Sequence, residues 1–284
     1  MLSEELGKLK AFVGRSSVAT EVATAPPVAR LAATLGASPP ASAPGEALPP
    51  GWHGVYFGPS PGPTGLRRDG QVAGTSSLPA VPLERYRIGL DRAEFPGTIA
   101  IGDQLRRVST ITDLSILEQA EGPVVSLLHR NEISGPRGLA VIEERESIYL
   151  GPAAPAPGPP PRLPEPQWRK VVAPDPVLLF RYSALRFNSH RVHYDRDFAV
   201  REEGLPGLMV QAALIALLLL EMCRQEVPGH RITAFAPRTR HPVYDTAPFT
   251  LCGALDAGQR YAMMWVLDHA GSPAVVGELT FADR

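Results

Sequence analysis

Residues 205–223, LPGLMVQAALIALLLLEMC, are apolar on every face a helix would present. Such a helix either spans a membrane or forms the buried centre of a domain. The run is short for a hydrocarbon layer about 30 Å thick, opens on Pro206-Gly207 after its first leucine, and carries Gln211 early. It is therefore read as a buried central helix starting near residues 209–213. Elsewhere, alternation of apolar and polar positions with β-branched residues predicts strands at 104–113, 124–132 and 139–149. Turns containing Gly122-Pro123 and Gly135-Pro136 separate them, so the three form an antiparallel meander. A second strand set is expected at 231–236, 249–255, 260–268 and 274–281, again as a meander. Shorter helices are predicted at Glu4–Phe12, Pro27–Leu35 and Val177–Leu185. Asp175-Pro176 supplies the last of these with a capping oxygen and a proline whose missing N–H is harmless at that position.

Proline punctuates this pattern. Residues 151–166, GPAAPAPGPPPRLPEP, suit neither helix nor sheet and are read as a polyproline-type linker between residues 1–150 and 167–284. A softer stretch, Ser38–Pro50, follows the N-terminal helices. A long buried helix followed by antiparallel strands is an α+β pattern, and a sheet curled around such a helix is the hotdog arrangement. Two such halves in one chain make a double hotdog, α+β in class. The front half lacks an equally clear apolar helix, so it is read as a degenerate copy.

Composition narrows the classes. A formal net charge of −1 carries neither the basic footprint of a nucleic-acid binder nor that of a polybasic membrane-surface protein. Cys223 and Cys252 cannot build a disulfide framework and read as small core hydrophobes in a reducing compartment. The start, MLSEELGKLKAFVG, has no signal-peptide apolar core. A cytoplasmic protein is expected.

Residues 180–195, FRYSALRFNSHRVHYD, and 204–214, GLPGLMVQAAL, resemble the MaoC-like hydratase/dehydratase group of hotdog proteins. The similarity is strongest to its double-hotdog branch, which holds mesaconyl-C4-CoA and itaconyl-CoA hydratases and type-2 hydroxyacyl-thioester dehydratases. LPPGWHGVYF (48–57), LPAVPLER (78–85), GDQLRRVSTITD (102–113) and RNEISGPRGLAVIEERESIY (130–149) extend the likeness through the front half. The group's D-x-N-P-x-H-x-D pattern, aligned at its H-x-D end, falls on His193 and Asp195, with Asn188 where the first aspartate stands. The branch generally has asparagine there. The resemblance implies reversible hydration of an α,β-unsaturated acyl-CoA, with mesaconyl-C4-CoA or itaconyl-CoA as substrate and citramalyl-CoA as product. It implies no cofactor and no metal, an acyl-CoA partner with neither nucleic acid nor membrane, and a homodimer of double hotdogs.

Such a hydration needs a base for water, a proton for the α-carbon and a donor for the enolate oxygen. His193 suits both proton transfers, since imidazole has an ordinary pKa of about 6.5. Asn188 can hold the water but cannot take a proton. Helix N-termini offer free amides for an oxyanion, and the resemblance assigns that role to the backbone N–H of Ala212. His190, Arg191, Gln211, Arg238 and Arg240 are the candidate substrate contacts, and Arg186 also flanks the motif. Arginine suits the CoA phosphates or a free acyl carboxylate. Asp195 reads as an orienting or capping group, sharing a face with His193 if the segment is extended. A metal site would need His190, His193 and Asp195 to converge with a further ligand. The imidazole is expected at the mouth of an apolar tunnel. Residues 85–90, RYRIGL, where the branch often has a tryptophan and paired glycines, are expected to line the acyl pocket. Dehydration of 3-hydroxyacyl thioesters in fatty-acid synthesis and hotdog thioesterase activity are the alternative readings.

Overall fold

The computed structural model describes residues 2–74, 79–83, 85–119, 122–150, 159 and 161–282. The front half contains α1 (Leu2–Lys8), β1 (Ser16–Val22), α2 (Ala25–Leu35), β2 (Arg85–Glu94), β3 (Gln104–Gln119), β4 (Gly122–Gly135) and β5 (Gly138–Leu150). The rear half contains β6 (Trp168–Val172), α3 (Pro176–Leu185), α4 (Ala212–Glu226), β7 (Ile232–Thr239), β8 (Phe249–Leu255), β9 (Tyr261–Leu267) and β10 (Pro273–Phe281). Most of the proline-rich linker, residues 151–158 and 160, lies outside the described residues.

One antiparallel sheet runs through both halves in the order β1-β3-β4-β5-β2-β7-β10-β9-β8-β6. The order is a palindrome. Each half contributes a three-strand meander (β3-β4-β5 and β8-β9-β10), a first strand laid beside the last of the meander, and a short edge strand. The halves meet where β2 pairs with β7, Ala93 opposite Phe235 and Glu94 opposite Ala234. The rear strands are thus not one continuous meander, because β7 passes to β10 instead of β8. The strands β1, β2 and β6 are additions to the sequence-based expectation.

The apolar run forms α4 as expected. It packs against β7, β8 and β9, and buries Leu214, Ile215, Leu217, Leu219, Leu220 and Met222. One continuous core joins these residues to Val28 and Leu31 of α2 and to Leu179 of α3. Burying one such side chain contributes roughly 1.5–3 kcal/mol. Among the described residues no helix is long and apolar enough to cross a membrane. Between α2 and β2 the described residues form only the short 3-10 turns 52–55 and 63–65, so no counterpart of α4 is seen in the front half.

The first of those turns serves α4 directly. Gly51 has φ 87°, and a Cβ there would lie 2.7 Å from a Leu220 methyl, so the turn closes onto the helix only with glycine. Trp52, fully buried, donates its indole N–H to Glu221 Oε1 (2.6 Å), and Arg224 clasps the same carboxylate (2.6 Å). A charge buried between α4 and this turn is tolerated because donors from both satisfy it. Trp52→Phe removes one donor from this buried carboxylate and is expected to lower unfolding free energy by roughly 1–3 kcal/mol in urea titrations. A change within experimental error would show that the indole bond contributes nothing.

Candidate active site

The motif lies between α3 and α4. Asp175 caps α3 as expected, its Oδ1 accepting from Val177 N–H (2.7 Å) and Leu178 N–H (2.9 Å). After α3 the chain reverses at Phe187 (φ 50°), and Asn188 N–H returns to the Ser183 carbonyl (2.8 Å). Asn188 Oδ1 then accepts from His190 N–H (3.1 Å), an Asx-type turn that aims the loop. A front-half turn braces it: Arg191 N–H donates to Asp69 O (2.8 Å) and Ser189 Oγ to Gly70 O (2.6 Å). Gly70 has φ 82° with Ser189 O 1.9 Å from where a Cβ would stand, so glycine alone permits this approach.

His193 is 8% exposed. Its Nδ1 lies 2.8 Å from the Met209 carbonyl. A carbonyl can only accept, so Nδ1 carries the proton and Nε2 presents its lone pair. Burial pushes the imidazole pKa down to about 4; the Met209 bond opposes that shift and nearby His190 adds to it. The ring is therefore neutral at pH 7. His190 stands edge-on to it, ring centroids 5.1 Å apart, with its Nε2 3.2 Å from the Gln71 amide. Burial lowers the His190 pKa as well.

The loop leading into α4 is fixed from several sides. Met209 N–H donates to Val192 O (2.9 Å), Val210 N–H to Val243 O (2.9 Å), and Leu208 N–H to Asp245 Oδ1 (2.9 Å). Asp245 is also paired with Arg196. The first intrahelical bond of α4 runs from Leu214 N–H to Gln211 O (3.0 Å), which leaves the amides of Ala212 and Ala213 as free donors at the helix start among the described residues. A neutral imidazole and a helix N-terminus thus share one braced loop.

A cavity of about 70 Å³ runs along the adjoining face of α4. Ala213, Ala216, Leu217 and Leu220 form one wall, and Tyr182 and Arg186, which precede the motif in the chain, also line it. The facing wall is charged. Glu143 accepts from Asn131 (3.0 Å) and pairs with His53 (3.1 Å), while Arg145 pairs with Asp91 (3.1 Å). Burial works against the Glu143 charge, but the hydrogen bonds of His53 and Asn131 and the nearby Arg145 hold its pKa well below the carboxylate range.

A model of the hydroxyacyl-thioester dehydratase type 2 family matches residues 51–245. The mesaconyl-C(4)-CoA hydratase of Chloroflexus aurantiacus is 37% identical over 247 residues, 85% of this chain and 87% of that one. The chain belongs to the hydroxyacyl-thioester dehydratase type 2 family. Solved structures support the fold: a MaoC-like dehydratase superposes with a TM-score of 0.70 at 14% identity, covering 96% of this chain and 99% of the other. A Mycobacterium tuberculosis protein described as a double hotdog fold superposes with a TM-score of 0.58 at 14% identity, covering 95% of this chain and 96% of the other. The palindromic sheet is that double hotdog.

Within this dehydratase-family chain, the expected site residues divide into two groups. Asn188, His190 and His193 share one loop, which is tied through His193 to Met209, three residues before Ala212. The others point elsewhere. Gln211 is buried and its amide nitrogen binds Leu179 O and Ser183 Oγ (both 2.8 Å), tying α4 to α3; its Oε1 has no partner among the described residues. Arg191 holds Asp195 (2.8 Å) and lies over the Phe198 ring (4.1 Å). Residues 191–193 form a 3-10 turn, not a strand, so Asp195 does not share a face with His193. Its carboxylate instead accepts from Phe198 N–H (3.1 Å) and Arg191. Arg238 is exposed, one position beyond the cavity-lining Pro237 and so on the opposite side of β7. Arg240 donates to Pro159 O (3.0 Å). His193 itself is not among the residues lining the cavity, which begins at Ala213 and is charged where an apolar tunnel was expected. The side chains of 85–90 lie outside the described residues. Among the described residues no cluster of His, Cys, Asp and Glu could hold a metal ion. Sequence reasoning missed Asp69, Gly70, His53, Asp91, Glu143 and Arg145; only the Asp-Gly pair carried a turn signal.

The depressed His193 pKa couples to stability. Above pH 6.5 the folded and unfolded chains both hold the ring neutral, so nothing is gained or lost. Between pH 6.5 and about 4 only the unfolded chain takes up the proton, and stability falls by roughly 3 kcal/mol in all. The loss from pH 7 to 4.5 is expected to be roughly 2–3 kcal/mol larger in the parent than in His193→Gln by urea denaturation. Equal losses would place the ring in a solvated setting.

Proposed function

We propose that the chain hydrates the double bond of an α,β-unsaturated acyl-CoA, reversibly. The preferred acyl group is short and branched or dicarboxylic, as in mesaconyl-C4-CoA, with citramalyl-CoA as product; itaconyl-CoA reaches that product by this route only after its double bond moves into conjugation with the thioester. The observation that carries this reading is the neutral His193 ring tethered at Met209, three residues before the first free amide of α4. His193 Nε2 takes a proton from water as the oxygen bonds to the β-carbon. The electron pair of the double bond moves onto the thioester oxygen, which the Ala212 N–H stabilises as it gains charge. The enolate collapses as the α-carbon receives a proton from the imidazolium. Asn188 orients the water through its carboxamide.

Two further observations support the substrate class. The relative named mesaconyl-C(4)-CoA hydratase aligns over most of both chains. The cavity beside α4 is small and sets charged side chains among apolar ones, which suits a short acyl group with a polar end better than the long apolar chain of a fatty-acid dehydratase. The two buried free thiols, Cys223 and Cys252, accord with a cytoplasmic setting.

Incubation with mesaconyl-C4-CoA, itaconyl-CoA, crotonyl-CoA and long-chain enoyl-CoA, followed by mass detection, is expected to give a water adduct with the first. Release of free thiol without a water adduct would establish a thioesterase instead, and activity only on long chains would establish the fatty-acid reading. His193→Ala is expected to lower kcat/KM by about 10²–10⁴. Because the base is neutral down to about pH 4, the acidic limb of the parent's kcat/KM profile is expected well below pH 6.5.

Ala212→Pro isolates the amide. Proline is accepted at the first helical position, and Gln211 already has the extended geometry (φ −64°, ψ 129°) that a following proline requires. Helix content and Tm are expected to hold while kcat falls by about 10²–10³. Full activity in a folded variant would remove this amide from the oxyanion role.

A further inference from the structure

We propose that Arg186 reads a free carboxylate at the far end of the acyl group, and so selects dicarboxylic thioesters over plain acyl thioesters. The proposal rests on the acyl-CoA reading above and names the residue that sets its specificity. Arg186 is the C-cap residue of α3 and lies two positions before Asn188. It lines the same cavity as Ala213, the immediate neighbour of the Ala212 amide. This small space is therefore lined in part by chain neighbours of the reacting groups.

The charges around the cavity single this arginine out. Arg145 faces Asp91 (3.1 Å), Arg92 faces Glu94 (2.7 Å), and Glu143 is held by His53 (3.1 Å) and Asn131 (3.0 Å). Arg186, half-buried, has no carboxylate within ion-pair distance among the described residues; its guanidinium is steadied by the Tyr182 ring, 5.9 Å from the centroid. A partly buried guanidinium without a counter-ion is costly, and an incoming carboxylate relieves that cost through a two-pronged, charge-assisted contact. Space has been cleared for it. A Cβ on Gly54 would stand 2.2 Å from an Arg186 Nη, so the 51–55 turn lets the guanidinium lie against its backbone only with glycine there. The cavity's room for roughly five water-sized groups matches a short acyl group ending in a carboxylate, not a long chain.

Binding separates this proposal from the catalytic reading. Isothermal titration with succinyl-CoA and butyryl-CoA, which share the CoA moiety and lack a double bond to hydrate, measures the carboxylate's contribution without turnover. The parent is expected to bind succinyl-CoA about 10- to 100-fold more tightly. Arg186→Gln is expected to abolish that preference while leaving butyryl-CoA affinity unchanged, and Arg186→Lys to keep part of it. Equal weakening of both ligands in Arg186→Gln would assign the arginine to the CoA phosphates and overturn the proposal. A retained preference, or none in the parent, would overturn it too. These outcomes leave the hydration reading standing, whereas an Arg186-dependent preference in a protein that yields no water adduct from any enoyl-CoA would defeat hydration and keep the carboxylate reader.

Discussion

A sheet of ten strands has an inner face in each half to cover, and the described residues hold a single long helix to cover them with. In the rear half α4 fills that space with leucine, isoleucine and methionine. In the front half the described residues offer no such helix, and the sheet covers its inner face by other means. Ser109, Asn131 and Glu143 sit opposite one another on β3, β4 and β5 and form a hydrogen-bonded row that ends at His53. The next row carries His129, Arg145 and Asp91. The row from Ser109 to His53 is stable because each member has a partner; a half-satisfied network would be worse than an apolar one. The missing helix thus leaves both room beside α4 and a polar wall to face it.

The Met209 carbonyl joins this architecture to the chemistry. It fixes which nitrogen of His193 carries the proton, and burial keeps the ring neutral. The loop that presents the carbonyl is pinned by β-bridge contacts to Tyr244 and by the buried Asp245 carboxylate. The front half contributes through Asp69 and Gly70, which clamp the motif from the other side. Neither half assembles the site alone.

Much of this was legible in the sequence. The all-apolar run announced α4, Asp175-Pro176 announced α3, and alternating β-branched stretches announced β3, β4 and β5. The motif led to His193, Asn188 and the helix start. What escaped has physical reasons. β6 is five residues long, too brief for periodicity to register. In β5 charged residues occupy both faces, so alternation could not tell that Glu143 and Arg145 look inward. Arg191 seemed a substrate contact because arginine suits phosphate, yet Asp195 lies one helical turn away and claims it. The pairing of β7 with β10 depends on contacts between distant segments, which no local pattern encodes.

The palindromic strand order has a consequence for solubility. Every strand with a long, partly apolar surface is flanked on both sides, and the two outermost positions fall to β1 and β6, which are short and largely exposed. β6 bears Arg169 and Lys170, and β1 carries Glu21, charges that discourage another chain from docking its backbone there. By joining its halves at their inner strands, the fold hides its longest strand borders and leaves only two brief rims open to neighbouring molecules.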